Sequence, residues 1–223
     1  MLNRTIIMDK LWDIYFLLPH CQFNIRQNRI KSRLRFDYNN NSDISLITAN
    51  CIGGEIYSIL GLQFLSPLIN TAMNRKQFIT MCEHLKDYMQ LPLRLHQQDD
   101  GRVVGTLGDK NLPDIDIFFE HENNLEMINE EWNRRKKRIN WDKIVLICDD
   151  KDIDDYDYAR FDTLKAYKKI MLTAKNYNKK YSWAFQMKEY EGKNITGSYN
   201  GKTAKGGWRF QYTWDFVDFL NYR

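Results

Sequence analysis

The fold class is indicated most clearly by ITANCIGGEIYSILGL, residues 47–62, in which a β-branched run, a turn and an apolar run follow one another. The β-branched run ends a buried strand predicted over residues 43–49, and the apolar run predicts a helix over residues 54–61. Cys51 lies in the turn between them and is followed by two glycines. The turn therefore contains a candidate nucleophile, Cys51.

The order of strand and then helix recurs along the chain. Further strands are predicted over residues 115–119, 143–148, 169–173 and 182–187. Further helices are predicted over residues 74–90, 125–138 and 156–167. This alternation favours an α/β fold with a largely parallel sheet flanked by helices.

One α/β domain is expected over residues 1–223, with three parts. Residues 1–42 form a basic N-terminal arm, residues 43–190 form the core, and residues 191–223 form an extension rich in aromatic residues and glycine. The arm contains a basic segment at 22–37, for which a helix or an extended conformation without regular structure is predicted. That segment fits either a solvated face or contact with a membrane surface or an anionic partner.

Composition excludes several classes of protein. The chain is 43% hydrophobic, which is enough for a sizeable core. A net charge of +4, with acidic and basic residues interspersed, does not indicate a nucleic-acid binder. The four cysteines form no CxxC pair, so no zinc site is expected. The sequence has neither a run of about eighteen apolar residues nor a clear signal peptide, so a cytoplasmic protein is expected.

Ligands of open α/β sheets bind outside the carboxyl ends of the strands. Cys51 and His121 each follow a predicted strand, and the acids Asp149 and Asp150 follow another. A cysteine nucleophile, a histidine base and an orienting aspartate make up a catalytic triad. The N-terminus of the helix after the turn is expected to lower the pKa of the thiol. Each residue also fits a structural part in a turn, a strand end or a helix cap, and both alternatives remain open.

The same turn also predicts phosphate binding. A glycine-rich turn before a helix can hold phosphate, which makes Asn50, Gly53 and Gly54 candidate substrate-binding residues. Complete phosphate-loop motifs are absent. Arg134 and Arg135 begin a basic run that could bind a phosphate-bearing donor, or could lie in solvent at a helix end.

Five stretches carry a resemblance to a known family. They are NCIGGEIYSILGLQFLSPLIN at 50–70, LGD at 107–109, DIDIFFEH at 114–121, EWNRRKKRINWDKI at 131–144 and LTAKNY at 172–177. Over roughly residues 40–190 the chain resembles the bacterial domain-of-unknown-function family DUF1919. Its members are labelled exopolysaccharide or capsule biosynthesis proteins, and in some cases acyltransferases. Asp109 of the LGD stretch joins the candidate substrate-binding residues.

Three functions are consistent with these observations. The first is a transferase that modifies a surface-polysaccharide precursor, by acyl transfer through Cys51 with His121 as the base. The second is a glycosyltransferase-like enzyme that uses a nucleotide-sugar or another phosphate-bearing donor. The third is a binding or scaffold protein of a glycan-assembly complex, without catalysis. The expected partners are the precursor or an activated donor, with association at the inner face of the membrane, and the sequence names no cofactor.

Overall fold

The computed structural model describes residues 18–177, 180–191 and 203–222. The helices in these ranges are α1 Pro19–Arg35, α2 Tyr38–Asn41, α3 Ile52–Leu60, α4 Arg75–Glu83, α5 Leu85–Tyr88, α6 Leu125–Lys136, α7 Asp155–Thr163, α8 Phe210–Thr213 and α9 Phe216–Tyr222. The strands are β1 Ser45–Thr48, β2 Thr71–Ala72, β3 Arg94–Gln97, β4 Val103–Leu107, β5 Ile115–Phe119, β6 Ile144–Asp149, β7 Lys168–Thr173 and β8 Ala184–Gln186. The described residues do not include residues 1–17 of the predicted arm. They also do not include residues 192–202, the glycine-rich part of the extension.

The centre of the fold is a parallel sheet in the order β1-β6-β7-β8. Every residue of β1 and β6 is buried, which explains why β6 is a nearly continuous apolar run. Helices cover both faces of this sheet, so the predicted α/β fold with a parallel sheet flanked by helices is confirmed. Aromatic residues of α8 and α9 pack on one of these faces.

A second sheet is antiparallel, in the order β2-β5-β4-β3. The prediction that residues 115–119 lie in the parallel sheet is therefore wrong. Strand β5 follows β4 through the short loop 108–114, and parallel neighbours need a crossover of about a dozen residues or more. The two strands must therefore pair in antiparallel fashion.

The helix predicted over residues 74–90 is divided in two. Asn74 caps its start, because its side chain accepts hydrogen bonds from the backbone N–H groups of Lys76 and Gln77. His84 leaves the helical conformation, with φ −128° and ψ 34°, and separates α4 from α5.

A buried ion pair ties the carboxyl ends of the strands to the start of α4. The carboxylate of Asp149 lies 2.6 Å from Nη2 of Arg75 and 2.9 Å from its Nε. The same carboxylate accepts hydrogen bonds from Nδ2 of Asn50 and from the backbone N–H of Lys151. Arg75 also donates to the carbonyl of Met73. Since each charge makes several hydrogen bonds, both can be buried, and the chain segments that carry them are fixed together.

We expect the variant Arg75→Met to lower the free energy of unfolding by about 3–5 kcal/mol, because it leaves the buried charge of Asp149 without its partner. The matched control is Arg94→Met. Arg94 also lies 2.6 Å from an aspartate, Asp114, and also donates to one backbone carbonyl, but both side chains are exposed. Its loss should cost about 0–1 kcal/mol. Urea unfolding of both variants measures the difference, and equal losses would contradict the structural importance of the buried pair.

Candidate functional site

Cys51 and His121 meet at one point of the surface. Cys51 lies between β1 and α3, and its Sγ is 4.0 Å from Nε2 of His121. The thiol also donates to the backbone carbonyl of Thr71, at 3.7 Å. The two residues predicted as nucleophile and base are therefore neighbours.

The short strand β2 brings them together. Thr71 of β2 pairs with Phe119 at the end of β5, two residues before His121. At its other end, the backbone N–H of Met73 donates to the carbonyl of Ala49, just after β1. The predicted proximity therefore occurs across two sheets, and not along the edge of one parallel sheet.

Two glycines allow α3 to start close to its neighbours. A Cβ on Gly53 would lie 2.9 Å from the side chain of Thr48, and a Cβ on Gly54 would lie 3.1 Å from Oδ1 of Asn70. Both glycines are buried. Asn50 is also buried, and its Oδ1 accepts from the backbone N–H of Ile52. Close packing and capping thus explain these residues, and their part in substrate binding stays a prediction.

The electrostatics of Cys51 differ from the expectation. Burial raises the pKa of its thiol to about 11, and the negative charges of Glu120 and Glu55 add to the effect. The expected lowering by the helix N-terminus is therefore outweighed. At neutral pH Cys51 is a thiol, and it can act as a nucleophile only if a base takes its proton during the reaction.

The two aspartates of the predicted triad, Asp149 and Asp150, accept hydrogen bonds from groups that lie outside the triad. Four hydrogen bonds reach the oxygens of Asp149, as described above, and fill the acceptor positions of a carboxylate. Asp150 accepts from the backbone N–H of Ala174 and from the hydroxyl of Tyr158. Burial raises the pKa of Asp150. These contacts make Asp149 a structural anchor, and they turn Asp150 towards β7 instead of the His121 ring.

A cleft of about 230 Å³ opens beside His121. Its apolar walls are Pro67, Ile69, Phe119, Met127, Ile128 and Trp132. Its polar lining residues are Asn70, His121, Glu122, Glu131 and Arg135. The volume is below the range of about 300–1,000 Å³ that is usual for drug-sized ligands, so it suits one ring or a short chain.

Two buried N–H donors line this cleft. Neither Nε1 of Trp132 nor Nε of Arg135 has a hydrogen-bond partner in the part of the chain that the structure describes. Nη2 of Arg135 lies 2.6 Å from Glu131, and its guanidinium stacks over Phe64 at 5.4 Å. Buried donors are normally satisfied, so these two groups are exceptions in this part of the protein.

Two other predicted binding residues lie apart from the cleft. The side chain of Arg134 is exposed and pairs with Glu131. Asp109 belongs to the loop before β5, where it accepts from the backbone N–H groups of Asn111 and Leu112. His121 follows the other end of β5, about 17 Å away along a strand of this length. Only Arg135 of the predicted basic pair thus reaches the site.

Sequence reasoning missed several residues of the site. Asn70 takes the left-handed conformation, with φ 59°, which asparagine tolerates better than most residues. Its place in the cleft depends on the pairing of β2 with β5, which no local pattern reveals. The helical spacing of Ile128 and Trp132 predicts that Trp132 faces the interior, but it does not predict the wall of a cleft.

Two features are absent from the described ranges. Within them, no group of three or more histidine, cysteine, aspartate or glutamate residues is arranged to hold a metal ion. No helix there is both long enough and apolar enough to cross a membrane.

We expect Cys51 to react slowly with iodoacetamide at neutral pH, with a rate that keeps rising up to about pH 10. The thiolate is the reacting form, and a pKa of about 11 keeps it scarce. Glu120→Gln should raise the rate, since it removes a nearby negative charge, whereas the exposed Glu130→Gln should not. Peptide mass spectrometry over a pH series measures this. A rate that levels off below about pH 8.5 would contradict the raised pKa.

Comparison with known proteins gives two findings. The model of the family described as Domain of unknown function (DUF1919) matches residues 22–221. A relative from Haemophilus influenzae, named "Uncharacterized protein", is 27% identical over 183 residues, which cover 82% of this chain and 86% of that protein. The match spans most of the chain, including every residue of the candidate site. This chain therefore belongs to the DUF1919 family.

Proposed function

We propose that this protein is a transferase that modifies a surface-polysaccharide precursor by acyl transfer through Cys51. The observation that carries the proposal is the 4.0 Å contact between Sγ of Cys51 and Nε2 of His121, at the side of a cleft with buried donors. The polysaccharide context comes from the resemblance described in the sequence analysis.

The raised pKa of Cys51 determines how the first step would proceed. Nε2 of His121 takes the thiol proton while Sγ attacks the carbonyl carbon of an ester or thioester donor. As the tetrahedral intermediate collapses, the leaving alcohol or thiol takes this proton from the imidazolium. The acyl group is now bound to Cys51 as a thioester.

The second step returns the enzyme to its starting state. A hydroxyl group of the precursor attacks the thioester carbonyl, and His121 takes the proton of that hydroxyl. The Cys51–acyl bond breaks, and the proton passes to the departing sulfur. The precursor leaves as an ester, and no other reactant is needed.

The cleft supports the binding of one reactant next to this pair. Trp132 and Phe119 offer apolar surface to a sugar ring or an acyl chain. Nε1 of Trp132 and Nε of Arg135 would donate to its oxygen atoms, and Asn70 and Glu122 would accept from its hydroxyl groups.

A second candidate is transfer from a nucleotide-sugar or another phosphate-bearing donor. The unpartnered Nε of Arg135 favours it, because guanidinium groups bind phosphate oxygens well. Glu131 already neutralises part of this charge, which makes the acyl transferase the stronger candidate. Turnover that requires a divalent ion and survives thiol alkylation would support the phosphate-bearing donor.

The proposed place of the reaction is the cytoplasmic side of the membrane. Precursors of surface glycans are assembled on lipid carriers, so an enzyme that acts on them would associate with the inner face of the membrane.

We expect His121→Ala to lower turnover with acyl thioesters and a glycan acceptor by about 10²–10⁴-fold, because the base that takes the thiol proton is lost. Cys51→Ser should lose most activity as well, without unfolding. Acyl transfer is measured by chromatography of the acceptor, and folding by circular dichroism.

The control is His84→Ala, since His84 is exposed and lies between α4 and α5. Its turnover should equal that of the unchanged protein. Wild-type turnover of the Cys51→Ser variant would remove the proposed mechanism.

A further inference from the structure

Helix α1 turns its apolar side chains towards solvent. The exposed fractions are 60% for Phe23, 40% for Ile30 and 81% for Leu34. At about 100° per residue, these three side chains lie within about 40° of one another around the helix axis. Together they form an apolar strip along the helix, here called the outer stripe.

The opposite face of α1 is held to the protein by small and polar side chains. Cys21 is fully buried. Nδ2 of Asn24 donates to the carbonyl of Lys205 at 2.9 Å, and Nδ2 of Asn28 donates to the hydroxyl of Tyr212 at 2.8 Å. Surface helices normally bury their apolar stripe. In α1, Phe23, Ile30 and Leu34 face outward instead, which indicates that the outer stripe has a partner.

Positive charge lies on both sides of the outer stripe. Arg26 is about 60° from Phe23 on one side, and Lys31 is about 80° away on the other. Both are exposed. The helix contains five basic residues and no acidic residue. The surface is therefore complementary to a partner that is apolar and negatively charged at once.

We propose that the outer stripe docks this protein on an anionic membrane leaflet. Phe23, Ile30 and Leu34 would enter the boundary between head groups and acyl chains, and Arg26 and Lys31 would contact lipid phosphates.

The shape of the surface favours lipid over a protein partner. A stable protein interface buries about 800 Å² on each side with a complementary shape. A single strip of three side chains on a convex helix offers much less. A lipid surface needs no matching groove, and a helix that lies along it can bury such a strip while its cations stay at the head groups.

The proposed docking surface makes the proposed membrane location of the enzyme more specific. It rests on the proposed function only through that location. Vesicle binding is measured without any donor or acceptor. Failure of the docking surface and failure of the Cys51 mechanism are therefore separate results.

The test is co-sedimentation of the full chain with vesicles of phosphatidylcholine containing 30% phosphatidylglycerol, compared with pure phosphatidylcholine. We expect binding to the anionic vesicles, with a marked loss at about 0.5 M salt. Leu34→Ser and Lys31→Glu should each lower the partition coefficient about tenfold. Because both side chains are exposed, neither change should affect folding.

The matched controls are Tyr156→Ser and Lys110→Glu. Tyr156 is 72% exposed on α7, and Lys110 is exposed in the loop before β5. Neither change should alter binding. Absence of vesicle binding by the unchanged chain would overturn the proposal, and so would binding that Leu34→Ser leaves intact. Binding to polyglutamate without vesicle binding would assign the outer stripe to an acidic protein instead.

Discussion

The buried ion pair of Asp149 and Arg75 is the constraint on which the site depends. Burying two charges costs several kcal/mol for each ion unless their hydrogen bonds are satisfied, and here they are. The pair connects the end of β6 to the first residue of α4, and Asn50 extends the connection to the turn after β1. The position of Cys51 follows from this network, because it is the next residue after Asn50.

Helix α3 is fixed at both of its ends. At its start, Gly53 lets the helix approach the end of β1 closely. At its end, Nε of Arg33 donates to the carbonyl of Ile59, and the hydroxyl of Tyr38 donates to the carbonyl of Leu60. These donors satisfy carbonyl groups that a helix end leaves free. As a result, the helix that would dock on a membrane contacts the helix that follows Cys51.

Local pattern was enough to place most elements of this fold, and long-range pairing accounts for what it missed. Apolar runs and periodicity located β1, β6, α3 and α6 to within a few residues. The sheet to which β5 belongs could not be read from its own sequence, because an apolar strand looks similar in either kind of sheet. Only the short loop before β5, residues 108–114, indicated that β5 pairs with β4 in antiparallel fashion.

Long-range packing also limited what the sequence could predict about the site. The sequence predicted the neighbours Cys51 and His121, but gave the wrong sign for the pKa shift of the thiol. The helix N-terminus is a local feature, whereas the burial that outweighs it depends on how the rest of the chain packs around the thiol. The partner of Asp149 was hidden as well, because an arginine at the start of a helix looks solvent-exposed in sequence.

Trapping the acyl-enzyme intermediate is the most direct test of catalysis by Cys51. The protein would be incubated with short acyl thioesters in the absence of an acceptor and analysed by peptide mass spectrometry. We expect one acyl group on the peptide that contains Cys51, and much less of it in His121→Ala. Acyl transfer that proceeds while Cys51 stays unmodified, or while it is replaced by alanine, would contradict nucleophilic catalysis by Cys51.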